Sequence, residues 1–335
     1  MLNRYKTLVL CTARNKIINF APSLRMPLRS LRLNFLYNIL LLFFLPALSS
    51  AQHYDTVSVF KLPVQLDYII IKSGFDIDAF IHRVQTDTTF YKAFKSMDIV
   101  PYTAVNDIKA YDNEGKIKAS LYSKTKQKIH NGCRSMKVQE EKVTGDMYKR
   151  NGSYNYYTAE LYAYLFFTKD TICDDNDIVA NSLNEHGKGQ MEKNKYQLKQ
   201  LIFNPGSKIS GIPLMGDKAS IFDPAVAKNY DFKVYPDNYE GQDCYVFKAT
   251  PKPGQEHKVV YNELTTWFRK NDYAIVARNY SLSFNTMFYD FDVHIKVRTE
   301  QINGKLYPTF IDYDGNWHVF SKKRERVRFI MRATY

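Results

Sequence analysis

From Asp231 to Tyr335 the chain reads as one strand after another, and this run limits the fold more than any other feature. Its clearest member is Phe291 to Arg298, where Phe291, Val293, Ile295 and Val297 alternate with Asp292, His294, Lys296 and Arg298. Successive side chains of a strand point to opposite faces, so this segment has one apolar and one charged side. Similar patterns cover Asp243 to Ala249, Val259 to Arg269, Ile275 to Phe284, Leu306 to Tyr313 and Arg326 to Tyr335. Turn residues separate them at Asp237-Asn238, Lys252-Pro253-Gly254, Asn271-Asp272, Asn303-Gly304 and Asp314-Gly315-Asn316. A meander of this length predicts a large curved antiparallel sheet.

Upstream the period changes twice. Ile77, Phe80, Ile81 and Val84, then Tyr91, Phe94 and Met97, lie at helical spacing, which predicts one amphipathic helix over Asp76 to Met97. Strands are expected over Val105 to Tyr111, Ile117 to Lys128, Arg134 to Lys149 and Tyr154 to Thr168, the last also compatible with helix in its second half. Asp112 to Gly115, Asn131-Gly132 and Asn151-Gly152 supply the turns. A polar loop over Asp170 to Lys188 precedes a second helix, Gln190 to Phe203, and a tucked connection over Ile209 to Asp223. The expected class is α+β: a large curved antiparallel sheet, an unclosed barrel, with two or three helices packed on its concave face.

The first 51 residues read as targeting rather than fold. Arg29 and Arg32 precede an apolar core, Ile39 to Leu45, and small residues Ser49-Ser50-Ala51 follow it, which predicts a signal peptide cleaved after Ala51. Met26 is a candidate start, because it gives that peptide an ordinary length. One domain is then expected from Gln52 to Tyr335, in a periplasmic or otherwise exported location. Seven of the 47 basic residues and none of the 34 acidic ones lie in that leader, so the formal charge falls from +13 to +6 without it. Little electrostatic case for nucleic-acid binding remains. The local basic run Lys322, Lys323, Arg324, Arg326 and Arg328 suits either a solvated strand or contact with anionic headgroups or an acidic partner. Export permits a disulfide, and of the three pairings open to Cys133, Cys173 and Cys244 the first two residues are the preferred partners.

Chemistry is sparse. The seven histidines form no ligand pair one helical turn apart, no serine sits in a Gly-x-Ser-x-Gly elbow, and no glycine-rich loop opens a helix. Asp290 with Asp292 and Asp312 with Asp314 share strand faces but lie beside predicted turns. The reading is therefore a binder, not an enzyme, with no cofactor and no metal. The 26 Tyr and 22 Phe, many on strands, suit an apolar cavity for a hydrophobic or lipidic ligand. Phe80, Val84, Tyr245, Phe247, Trp267, Phe291, Val293 and Ile295 are the residues expected to line it.

The passage Tyr239-Glu240-Gly241-Gln242-Asp243-Cys244-Tyr245-Val246-Phe247-Lys248-Ala249, followed by Thr266-Trp267-Phe268-Arg269-Lys270-Asn271-Asp272-Tyr273-Ala274-Ile275-Val276-Ala277-Arg278, resembles the periplasmic lipoprotein-carrier (LolA-like) superfamily. Ile302-Asn303-Gly304-Lys305-Leu306-Tyr307-Pro308 is similar to the later turn and Pro-bearing strand of the same order. The resemblance spans roughly residues 231 to 313. It implies an unclosed antiparallel barrel with helices against its concave face, a lipid-binding cavity between them, and a carrier or envelope-maintenance role. The chain is longer than that pattern between Gly132 and Asn229. Two rivals stand beside it. The alternation ending at Tyr335 is also that of the closing strand of an outer-membrane β-barrel, and a partner-binding envelope protein without a small ligand would need the same core.

Overall fold

A computed structural model describes residues 75–173, 197, 199–200, 202–209, 215–287, 289–319 and 323–335. The signal-peptide segment, most of the loop over Asp170 to Lys188, and Lys322 lie outside the described residues. All described residues belong to one compact unit, Val59–Tyr335.

Among the described residues eleven antiparallel strands form one sheet: β1 Tyr102–Tyr111, β2 Ile117–His130, β3 Cys133–Gly145, β4 Thr171–Cys173, β5 Tyr230–Tyr239, β6 Gln242–Pro251, β7 Tyr261–Arg269, β8 Ile275–Asn285, β9 Tyr289–Ile302, β10 Lys305–Val319 and β11 Glu325–Thr334. Their order is β4-β3-β2-β1-β11-β10-β9-β8-β7-β6-β5. The carboxy-terminal meander thus runs inward to β11, and β1 joins it there. Among the described residues β4 and β5 remain as edges, so the sheet is open, not the closed barrel that the alternation before Tyr335 also allowed.

Register makes one face of this sheet continuous. Val143, Leu121, Ile108, Phe329, Tyr313, Ile295, Tyr280, Leu264, Ala249 and Phe232 pair in sequence from β3 to β5. All but Val143 are buried. This inner face carries the helices, and β9 obeys it: Phe291, Val293, Ile295 and Val297 are buried while Asp292, His294 and Lys296 are exposed. Tight Asn-Gly turns set the register, with φ of 49° and 75° at Asn131-Gly132 and 50° and 75° at Asn303-Gly304, the left-handed pair that a two-residue hairpin requires.

Two expected turns are strand instead. Asp237-Asn238 lies within β5, and the chain reverses at Glu240-Gly241. Asp314-Gly315-Asn316 lies within β10, where a Cβ on Gly315 would collide with the Tyr313 hydroxyl and ring. That glycine leaves room for the Tyr313 ring rather than bending the chain.

The helix expected over Asp76 to Met97 is two. Helix α1 spans Ile77–Thr86, capped by Asp76, whose carboxylate accepts the Ala79 N–H at 2.9 Å. Helix α2 spans Thr89–Met97. The break falls at Asp87, because its side chain accepts from the Thr89 N–H at 3.1 Å and the Thr89 hydroxyl at 2.6 Å and so starts a new helix. Phe80 of α1 packs edge-on against Phe268 of β7 at 5.3 Å.

The segment Tyr154 to Thr168, expected as strand with a helical option, forms helix α3 over Tyr157–Phe166. Its apolar residues surround most of the helix, which is why periodicity left it open. Distant residues decide it: Tyr162 packs 4.6 Å from Tyr313 and 4.9 Å from Phe329. The helix start lacks a local side-chain cap, and Glu325 of β11 supplies one. Glu325 accepts from the N–H groups of Tyr157 and Thr158 at 2.8 and 2.9 Å and from the Thr158 hydroxyl at 2.7 Å. Replacing Glu325 by Ala strands these donors, and we expect a loss of about 2 kcal/mol in urea unfolding. An unchanged midpoint would show that the cap is idle. Of the helix expected over Gln190 to Phe203, residues 197, 199, 200, 202 and 203 are helical, and the others lie outside the described residues. A short helix, α4, spans Pro224–Ala227.

Candidate functional site

A cavity of about 640 Å³ opens between α2, α3, the segment around Lys199 and Phe203, and the β3–β4 edge of the sheet. Its apolar wall is Phe94, Met97, Leu165, Phe166, Ile172 and Phe203. Phe94 stacks on Phe203 with ring centres 4.3 Å apart, and Phe166 meets Phe203 edge-on at 6.0 Å. The volume lies inside the range of roughly 300–1,000 Å³ typical of small-molecule pockets.

Polar groups share the lining. Arg134 pairs with Asp98 at 3.1 Å, both side chains mostly shielded from water. The Tyr102 hydroxyl is pushed far above its ordinary range, first by burial and then by the Asp98 carboxylate, so it stays a neutral phenol. The Lys199 ammonium lies 5.2 Å from the Tyr164 ring centre. Beneath these groups the buried Gln127 donates to the carbonyls of Met97 at 2.7 Å and Val100 at 2.9 Å, which ties the end of α2 to β2. An apolar wall beside a shielded ion pair suits an amphiphile with its head near Arg134 and its tail against the phenylalanines.

One covalent bond frames the site. Cys133 and Cys173 form a disulfide across the register pair of β3 and β4, and Cys244 is a buried free thiol. Every lining residue from Arg134 to Ile172, and with them all of α3, falls inside the loop it closes.

The residues expected from sequence lie elsewhere. Phe80 and Val84 are buried on α1, with Phe80 near Tyr245 at 5.9 Å. Phe247 packs with Phe232 and Phe222, and Phe291, Val293 and Ile295 are buried on β9. Trp267 faces the outer side: its indole N–H donates to Asp237 at 2.9 Å, and its ring lies 5.0 Å from Tyr239. Its neighbour Phe268 takes the inward position against α1. None of the eight lines the cavity. The lining residues of α3 were foreshadowed only by the aromatic density of Tyr154 to Phe167, and nothing local marks Arg134. Of the basic run, Arg324 pairs with Asp290 at 2.7 Å and Arg328 with Asp312 at 2.8 Å. Among the described residues no helix is long and apolar enough to cross a membrane.

No family model and no curated protein matches the chain. Three solved structures are similar. A DUF1329 family protein from Desulfovibrio piger is 13% identical over 73% of this chain and 88% of its own, with a TM-score of 0.22. A putative outer membrane lipoprotein-sorting protein domain from Vibrio parahaemolyticus is 9% identical over 73% and 89%, with a TM-score of 0.23. A LolA superfamily protein from Nitrosomonas europaea is 9% identical over 74% and 91%, with a TM-score of 0.21. The open antiparallel sheet with helices on one face stands on the strand pairing of this chain.

Proposed function

We propose that this protein is an exported carrier or envelope-maintenance factor that holds a hydrophobic or lipidic ligand in the cavity between α2, α3 and the β3–β4 edge. The observation that carries the reading is the phenylalanine wall, Phe94, Phe166 and Phe203, in a cavity that also holds the mostly shielded Arg134–Asp98 pair. Such a site binds by removing apolar surface from water and orients the ligand by its head. The signal-peptide pattern of the first 51 residues supports export, and the sparse catalytic motifs favour binding over catalysis. Native mass spectrometry after incubation with a phospholipid extract tests it. Bound lipid is expected on the parent protein, and Ala163→Trp, which projects an indole into the cavity, should weaken it roughly tenfold or more, since each buried CH₂ contributes about 0.8 kcal/mol. A parent that never retains lipid, or a folded variant that retains as much, would overturn the proposal.

A further inference from the structure

Strand β2 carries Lys124, Lys126 and Lys128 on the face opposite Ser123, Thr125 and Gln127; the three lysines are exposed and those three polar residues buried. Alternate residues on a strand stand about 7 Å apart, so these ammonium groups form an evenly spaced row. Lys137 of β3, also exposed, lies directly across from Lys126 in the register. Like charges placed opposite each other on a sheet destabilise it. On the other flank Val105 separates Lys124 from Arg332, which is exposed, so the positive field extends to β11.

Two nearby acids already have lysine partners. Glu140, across from Lys124, is bound by Lys142 at 2.8 Å, and Asp107 by Lys109 at 2.6 Å. Among the described residues, Lys124, Lys126, Lys128 and Lys137 form no ion pair. The basic run near β11 contrasts with this, because Asp290 and Asp312 neutralise two of its arginines.

We infer that the outer face of β2 and β3, through Lys124, Lys126, Lys128 and Lys137, docks on anionic phospholipid headgroups. The complementarity is of charge. Lysines on flexible stems, spread over an open strand face with no recess around them, match a diffuse field of negative headgroups rather than a shaped ligand. Such contact supplies the counter-charge that the Lys126–Lys137 juxtaposition lacks. The surface lies on the opposite side of the sheet from the cavity, so docking leaves the cavity uncovered, and the inference is independent of what the cavity holds.

Co-sedimentation of the purified protein with vesicles tests it. Binding is expected to vesicles of phosphatidylcholine mixed with phosphatidylglycerol, to weaken as salt is raised, and to be absent on phosphatidylcholine alone. The quadruple variant K124Q/K126Q/K128Q/K137Q should lose roughly two to three orders of magnitude in partitioning. The single variant Lys126→Gln should keep or raise the melting temperature while weakening binding, which a merely structural role would not do. Equal binding to neutral vesicles, undiminished binding by the quadruple variant, or binding lost instead in a variant at Lys323, Arg324 and Arg326 would each overturn the assignment.

Discussion

Asp87→Ala should lower the stability of this protein by about 3–5 kcal/mol, more than its place in a two-residue helix break suggests, because it leaves a buried arginine without its counter-charge. Arg278 projects from β8 onto the inner face, with its side chain 9% exposed and that of Asp87 8%. The guanidinium stands 3.8 Å from the Asp87 carboxylate, donates through Nε to the Thr266 hydroxyl at 3.0 Å, and stacks 4.3 Å over the Phe90 ring. Burial pushes Arg278 below its ordinary range, and the Asp87 charge opposes that shift. The same carboxylate caps α2, so its removal breaks two interactions at once. A double variant, Asp87→Ala with Arg278→Met, removes both charges and should recover most of the loss. Urea unfolding of the three proteins decides it: a double variant as unstable as the single one would show that the arginine does not need the aspartate.

Opening the Cys133–Cys173 bond should cost a comparable amount by a different route. The two cysteines are 40 residues apart, and a loop of that size is worth about 4 kcal/mol when loop closure is removed from the unfolded chain. Serine at both positions should therefore lower the urea midpoint strongly, and dithiothreitol should do the same to the parent while leaving the variant unmoved. Cys244→Ser controls for the thiol outside the bond. The effect should be uneven across the molecule, because the loop contains α3 and most of the cavity wall while β5 to β11 lie outside it. Hydrogen exchange of α3 should rise more than that of β9. Equal protection of both in parent and variant would refute this local role.

Much of the architecture was legible in the residues. Strict alternation over Phe291 to Arg298 gave a two-faced strand, and Asn131-Gly132 and Asn303-Gly304 gave two-residue turns, because both are local consequences of backbone geometry. The failures share another cause. Gly315 reads as a turn until the Tyr313 ring is placed across it. Asp76 to Met97 reads as one helix, but Asp87 breaks it by capping α2, where its carboxylate also faces Arg278, nearly two hundred positions on. Trp267 and Phe268 are adjacent, and which of them faces inward depends on strand register rather than on hydrophobicity.

The sequence by itself therefore determined the strand-rich class, the inner and outer sides of the meander, and the presence of amphipathic helices, since each rests on a period of two or 3.6 within one short segment. Only the tertiary structure decided that β1 pairs with β11, that Glu325 starts α3, and that a cavity forms at the β3–β4 edge. Those features join residues far apart in the chain, and no local pattern records the free energy of a contact made across such a separation.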